Sequence, residues 1–151
     1  MPSAYIDGLK MLGRRELSEA QVRQRLARRG YEEDAIDAAV TRLKDERAID
    51  DMRVAEAIAR TETSVKRRGK LRVRMQIERA GIAKATARRA VDEAFASIDD
   101  EGLLEAALAR RLRGQMPIKD DAQFARLYRY LMGQGFEADQ IVRALKARSV
   151  K

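Results

Sequence analysis

Apolar residues recur along this chain at offsets fixed by three glycines. Four and eight positions before Gly30 stand Leu26 and Val22; before Gly81, Ile77 and Val73; before Gly135, Leu131 and Leu127. The residue after each glycine is bulky and apolar (Tyr31, Ile82, Phe136), the sixth is Ile36, Ala87 or Ile141, and the tenth is Val40, Val91 or Leu145. Steps of four place these side chains on one helical face. Recurrence at separations of 51 and 54 residues is the arithmetic of a tandem repeat.

Each repeat unit predicts three helices in about fifty residues. In the first, Tyr5, Leu9 and Leu12 give a short helix that breaks into a turn at Gly13, Arg14, Arg15 and Glu16. Ser18 with Gln21 forms a capping box for a helix to Arg29, and Gly30 supplies its left-handed terminus. Glu32, Glu33 and Asp34 then open a third helix on its positive end, and Arg42 and Lys44 close it. After Asp50 and Asp51 the predicted inner face is Val54, Ile58, Thr61 and Val65, with Gly69 separating this helix from the next. A helix over 83–97 buries Ala87, Val91 and Phe95. In the last stretch, Asp99 and Asp100 precede Leu104, Leu108 and Leu112, a helix ended by Gly114 and Pro117. Asp120 with Gln123 repeats the capping box before Phe124, Leu127 and Leu131, and a final helix over 137–148 contains Ile141 and Leu145. No alternating strand pattern occurs. The expected fold is all-α: three tandem three-helix modules over 1–50, 51–98 and 99–151, in an elongated, curved array.

Composition narrows the chemistry. Of 151 residues 45% are hydrophobic but only 5% aromatic, so cores of Ala, Leu, Val and Ile must be thin and neighbouring modules must support each other. The absence of cysteine excludes disulfides and thiolate ligands, and the absence of histidine removes the commonest metal ligand and neutral-pH base. No apolar run approaches a membrane span, and the N-terminal residues lack a signal-peptide core, so a cytoplasmic protein is expected. The net charge of +8 is uneven: residues 1–50 carry ten cations and ten anions, 51–98 twelve and six, and 99–151 ten and eight.

The excess centres on Lys66, Arg67, Arg68, Lys70, Arg72 and Arg74, an acid-free interval that also carries Val73 and Ile77. It reads as a basic amphipathic helix, either a solvated face or a contact for an anionic groove or DNA phosphates. On a helical wheel Arg72 and Arg79 fall on one flank of the Val73 and Ile77 stripe and Arg74 on the other, so they cannot all grip one ligand. Leu71 and Met75 lie opposite the stripe, either packed on a third helix, the favoured expectation, or exposed to a partner. Arg23, Arg25, Arg28 and Arg29 make a second cationic surface, which ten acids in the same fifty residues can neutralise. Arg110, Arg111 and Arg113 suit the negative end of a helix. The pairs Asp50/Asp51, Asp99/Asp100 and Asp120/Asp121 stand before helical patterns, where capping explains them better than acid–base or magnesium chemistry. No phosphate loop or nucleophile elbow is present, and neither an enzyme nor a cofactor is expected.

The run 9–18 (LKMLGRRELS), then 26–31 (LARRGY), then Leu43-Lys44-Asp45-Glu46 leading to Ile49-Asp50-Asp51 and Arg53-Val54-Ala55, then Arg67-Arg68-Gly69-Lys70 and Gly81-Ile82, resembles the bacterial RecX regulators. The resemblance covers nearly the whole chain and is strongest from residue 5 to about 95. Val54 stands where the family more often has Phe, and Arg47-Ala48 fill a turn where it more often has Gly. The resemblance implies an elongated array that binds the RecA recombinase filament on DNA and restrains strand exchange, ATP hydrolysis and coprotease activity. On it, Lys66, Arg67, Arg68, Lys70, Arg72 and Arg74, with Arg25 and Arg28, are candidate contacts for that filament or for DNA. Single-stranded DNA is a weaker expected partner, and the chain is expected to be a monomer. Two other readings remain: direct helix-turn-helix-like DNA binding, opposed by the near-neutral outer modules, and a scaffold for an unrelated protein.

Overall fold

A computed structural model describes residues 3–114 and 117–149. Among them lie nine α-helices: α1 (Ala4–Arg14), α2 (Glu19–Arg28), α3 (Glu33–Asp45), α4 (Asp51–Arg60), α5 (Lys70–Arg79), α6 (Lys84–Phe95), α7 (Asp100–Leu112), α8 (Asp121–Gln134) and α9 (Ala138–Ala147). The only β pairing among the described residues is an isolated parallel bridge between Ile118 and Ser149. The all-helical expectation therefore holds. Gly30, Gly81 and Gly135 sit at φ +92°, +82° and +98°, the same left-handed turn three times. Val22, Leu26, Val73, Ile77 and Leu131 are fully buried and Leu127 nearly so.

The chain forms two compact units, residues up to 58 with 76–90, and 59–75 with 91 onward. In the first, Leu17, Val22, Leu26, Val40 and Leu43 are fully buried in a core completed by Met11, Ile36 and Ile49. The predicted stripe of α1 is rotated. Its buried residues are Ala4, Gly8 and Met11, while Leu9 is exposed and Tyr5 and Leu12 lie at the edge. Close approach of α3 is the reason, since a Cβ on Gly8 would lie 2.8 Å from Leu43 Cδ1. The helix also runs through Gly13 to Arg14 instead of breaking there.

Polar contacts lock this unit's edges. The Ser18/Gln21 capping box forms as expected, and the buried Ser18 hydroxyl also donates to the Ala80 carbonyl at 2.5 Å. Arg47 adopts φ +60°, a conformation costly for a residue with a Cβ. It is braced by Arg53, whose guanidinium donates to the Arg47 and Ala48 carbonyls and to Glu16. Glu19 accepts from Lys44 and Arg23.

In the second unit Leu104, Leu108, Leu112, Leu127, Leu131, Phe136, Ile141 and Leu145 form the core from α7, α8 and α9. Asp120 caps α8 by accepting from the Gln123 amide, but the reciprocal bond shifts by one residue: Gln123 Oε1 accepts from the Lys119 amide. Arg148 pairs with Glu105 across α9 and α7.

Two predictions follow from this packing. Ile77→Ala should lower unfolding free energy by about 2–4 kcal/mol in urea titration, because the side chain is fully buried. The Lys44 ammonium and, secondarily, the Arg23 guanidinium hold the Glu19 carboxyl below its ordinary value of 4.5. A lowered folded-state pKa stabilises above the unfolded value, and that gain is lost as pH falls through the folded value. Glu19→Gln should accordingly shallow the fall of thermal midpoint below about pH 4.5, with a smaller difference at neutral pH than a core truncation gives.

Candidate partner-binding surfaces

The expected helical face of α4 fails after Ile58. Thr61 is exposed, Val65 is 75% exposed, and the buried positions are Ala59, Glu62 and Thr63. The cause is a π-helical turn over Thr61–Val65, closed by the Lys66 amide donating to the Thr61 carbonyl at 3.2 Å. An i to i+5 bond inserts a residue into the helical register and rotates the face that follows. The Thr63 hydroxyl donates to the Ala59 carbonyl at 2.7 Å, supporting the loosened turn. Glu62 is thereby buried, and Lys66 Nζ stands 3.8 Å from its carboxylate.

Lys66, Arg67 and Arg68 consequently lie in a connecting turn and not on a helix. Arg67 takes φ +55°, and the Arg68 amide donates to the Glu62 carbonyl. The turn ends where α5 meets the C-terminal end of α8. The Gly69 amide donates to the Gln134 carbonyl at 2.8 Å, and the Leu71 amide to the Gly135 carbonyl at 3.0 Å. A Cβ on Gly69 would lie 2.5 Å from the Gly135 oxygen, so only glycine permits the approach.

This junction sorts the six cations of the predicted basic helix. Arg72 is committed to the fold, half-buried and donating through Nη1 to the Gly133 carbonyl at 3.1 Å. Lys70 is half-buried over the Phe95 ring at 5.7 Å, a cation–π contact. Lys66 stands beside Glu62. Arg67, Arg68 and Arg74 have no acidic or aromatic partner among the described residues, and Arg67 and Arg74 are exposed. Leu71, expected to pack, is 38% exposed, while Met75 is half-buried.

In the other unit Arg25 and Arg28 line an open cleft of about 330 Å³, together with Met11, Arg14, Arg15 and Arg29. Arg29 approaches Asp7 at 3.4 Å. Arg23, grouped with them by sequence, belongs to a different network with Glu19 and Asp37. Neutralisation by the module's own acids, the expectation for this surface, therefore applies to Arg23 and Arg29. Arg14, Arg15, Arg25 and Arg28 have no acidic partner among the described residues. Arg14 and Arg15 were assigned to a turn on sequence; the signal available was their spacing from Met11 on a helix that continues.

The carboxylate pairs act mainly on backbone amides. Asp50 accepts from Arg53, Asp99 from Gly102 and Asp120 from Gln123, while Asp51 accepts from the Glu19 amide and Asp100 from the Gln140 side chain. Arg110 and Arg111 lie in the last turn of α7, as expected, and Arg111 also stands over the Tyr130 ring at 4.7 Å. Among the described residues no three potential ligands converge on a metal position, and no helix is long and apolar enough to cross a membrane.

Fold and surfaces define an all-helical protein of three-helix domains whose distinctive exposed chemistry is cationic. Residues 4–43 match the first three-helix domain of RecX, and residues 99–145 the third. The regulatory protein RecX of Vibrio campbellii is 30% identical over 139 residues, covering 91% of this chain and 86% of that protein. The RecX of Chromohalobacter salexigens is also 30% identical, covering 92% and 88%. The chain belongs to the RecX family of regulatory proteins. The crystal structure of RecX from Lactobacillus salivarius shares the fold, with a TM-score of 0.73 at 21% identity over 95% of each chain.

The junction is testable by substitution. Gly69→Ala should destabilise by about 1–3 kcal/mol, since backbone atoms must move to admit a methyl group, and should speed hydrogen exchange of the Leu71 amide. Arg67→Gly should leave stability nearly unchanged, because relief of about 1 kcal/mol of left-handed strain offsets glycine's unfolded-state entropy. Urea titration separates the two.

Proposed function

We propose that this chain binds a RecA recombinase filament assembled on DNA and restrains its strand exchange, ATP hydrolysis and coprotease activities. It acts as a cytoplasmic monomer whose three modules span 1–50, 51–98 and 99–151, with the middle one as electrostatic anchor. Membership of the RecX family supports a regulatory role. The observation that carries the choice of surface is the set Arg67, Arg68 and Arg74, unpaired beside the junction of α5 with α8. Lys66 and Lys70 add charge close by, while Arg72 holds the helix in place. Guanidinium groups without internal partners lose little on meeting an anionic filament surface, and their fixed backbone defines where they reach.

Arg67→Glu, Arg68→Glu and Arg74→Glu together should weaken inhibition of filament ATP hydrolysis by roughly tenfold or more, since juxtaposed like charges cost several kcal/mol. Far-ultraviolet circular dichroism should be unchanged. Full inhibition by a correctly folded triple variant would remove this surface from the mechanism. Binding to bare and recombinase-coated single-stranded DNA at one salt concentration tests the partner itself: equal affinity for both would favour direct DNA binding.

A further inference from the structure

We propose that the junction of α5 with α8 presents an apolar anchor, Val65 with Leu71, to a protein surface whose matching site is an apolar depression rimmed by carboxylates. This rests on the filament reading and deepens it: the arginines at the junction meet the protein of the filament and not the phosphates of its DNA.

Among the described residues five large hydrophobic side chains stand exposed. Ile6 and Leu9 lie on α1, and the other three border one junction. Val65 comes four residues before Gly69, the Leu71 amide donates to the Gly135 carbonyl, and the Met132 carbonyl accepts from the Gly135 amide at 3.0 Å. Single exposed apolar residues are ordinary on a protein surface, but the position of Val65 is not. Helical spacing puts it in the apolar series of Val54 and Ile58, and the π turn takes it off that face, leaving it 75% exposed. The register that exposes it is held at a cost. Glu62 is only 3% exposed, its Oε2 accepts no hydrogen bond, and the Lys66 ammonium is 3.8 Å away. The turn also carries Arg67 at φ +55°. What Val65 forgoes inside the chain is available to it at an interface.

The charges beside this anchor set the partner. Leu71 and Arg74, three residues apart, are neighbours on one face of α5, and Arg67 and Arg68 follow Val65 within three positions. None of these arginines has an acidic or aromatic partner among the described residues. Guanidinium forks fit phosphate and carboxylate alike, so the aliphatic side chains decide between them. A sugar–phosphate backbone offers valine and leucine little apolar surface, whereas a pocket of side chains gains from all the apolar area it covers. The amides of Gly69 and Leu71 are already bonded to Gln134 and Gly135, which removes two of the backbone donors a phosphate would use at a helix N-terminus.

The test is the concentration of the full chain that half-inhibits ATP hydrolysis by a recombinase filament on single-stranded DNA, measured across a salt series. Val65→Ala should raise it roughly tenfold, the loss expected for two buried carbons, and Leu71→Ala should act in the same direction. Leu71→Met, which keeps the apolar volume, should stay close to wild type. Both alanine variants should keep the wild-type salt dependence, since no charge is removed, whereas joint Arg67→Glu, Arg68→Glu and Arg74→Glu should change it. Val65→Ala should leave the melting midpoint nearly unmoved, because the side chain is exposed, and Ile6→Ala should leave inhibition unchanged. Wild-type inhibition by both alanine variants would overturn the anchor while the filament reading stands. A wild-type chain that does not inhibit would remove the filament reading and the anchor with it. An equal loss of affinity for bare single-stranded DNA in Val65→Ala would assign the anchor to nucleic acid and overturn the proposal, as would an effect of Ile6→Ala as large as that of Val65→Ala.

Discussion

At the start of α5 the amides of Gly69 and Leu71 donate to the carbonyls of Gln134 and Gly135 at the end of α8. Two sets of helix-end groups that ordinarily look to water or side chains are satisfied by each other. The contact also sets the positive end of one helix dipole against the negative end of another. It is backbone on backbone, so it fixes the direction in which α5 leaves and the place from which its cations project. It has a chemical consequence as well. Two of the amides that make a helix N-terminus attractive to anions, those of Gly69 and Leu71, are thereby taken up, so side chains carry most of the cationic character of this region.

A related device occurs in the other unit, at the end of α5. The Ser18 hydroxyl donates to the Ala80 carbonyl, and a Cβ on Gly81 would stand 2.5 Å from that of Ala20. In both places the beginning of a second helix is set against the glycine turn that ends another. The repeat therefore does more than return apolar residues to a core. Each turn glycine ends its helix in the left-handed region, and Gly81 and Gly135 in addition leave room for a neighbouring helix. A Cβ on Gly30 would meet nothing within 4 Å, so there the backbone conformation is the whole reason for glycine.

This distinction explains what was legible in the sequence. Burial of Val22, Leu26, Val73, Ile77, Leu127 and Leu131 follows from helical spacing, and the three left-handed turns follow from glycine chemistry. The α1 face was not legible, because Tyr5, Leu9 and Leu12 are the most apolar choice whereas the close approach of Leu43 selects Gly8 and Ala4. Nor was the π-turn, although the pattern carries a trace of it: four residues after Ile58 the expected apolar position holds Glu62. Pairing across distant residues was the largest omission. Arg72 turned inward to Gly133, 61 positions away, and Arg23 turned to Asp37, and no local pattern records either bond.

Net charge by segment was the least informative quantity, and the reason is physical. A carboxylate neutralises what it touches, and beyond about 8 Å at physiological ionic strength its influence is largely screened. A stretch that is neutral by count can therefore carry a cationic cleft, while a basic stretch can commit part of its charge internally, as Arg72 and Lys70 do. The two surfaces that remain differ in kind. Arg67 and Arg68 sit on a turn held by the Glu62 carbonyl and a left-handed residue, which fixes the backbone they project from. The cleft arginines lie at the end of α1 and along the second half of α2, and their side chains have no structural duty beyond Arg29. Arg14, Arg25 and Arg28 stand on ordinary helix, whereas Arg67 is held in the left-handed region, so the two sets project from backbones of different kind.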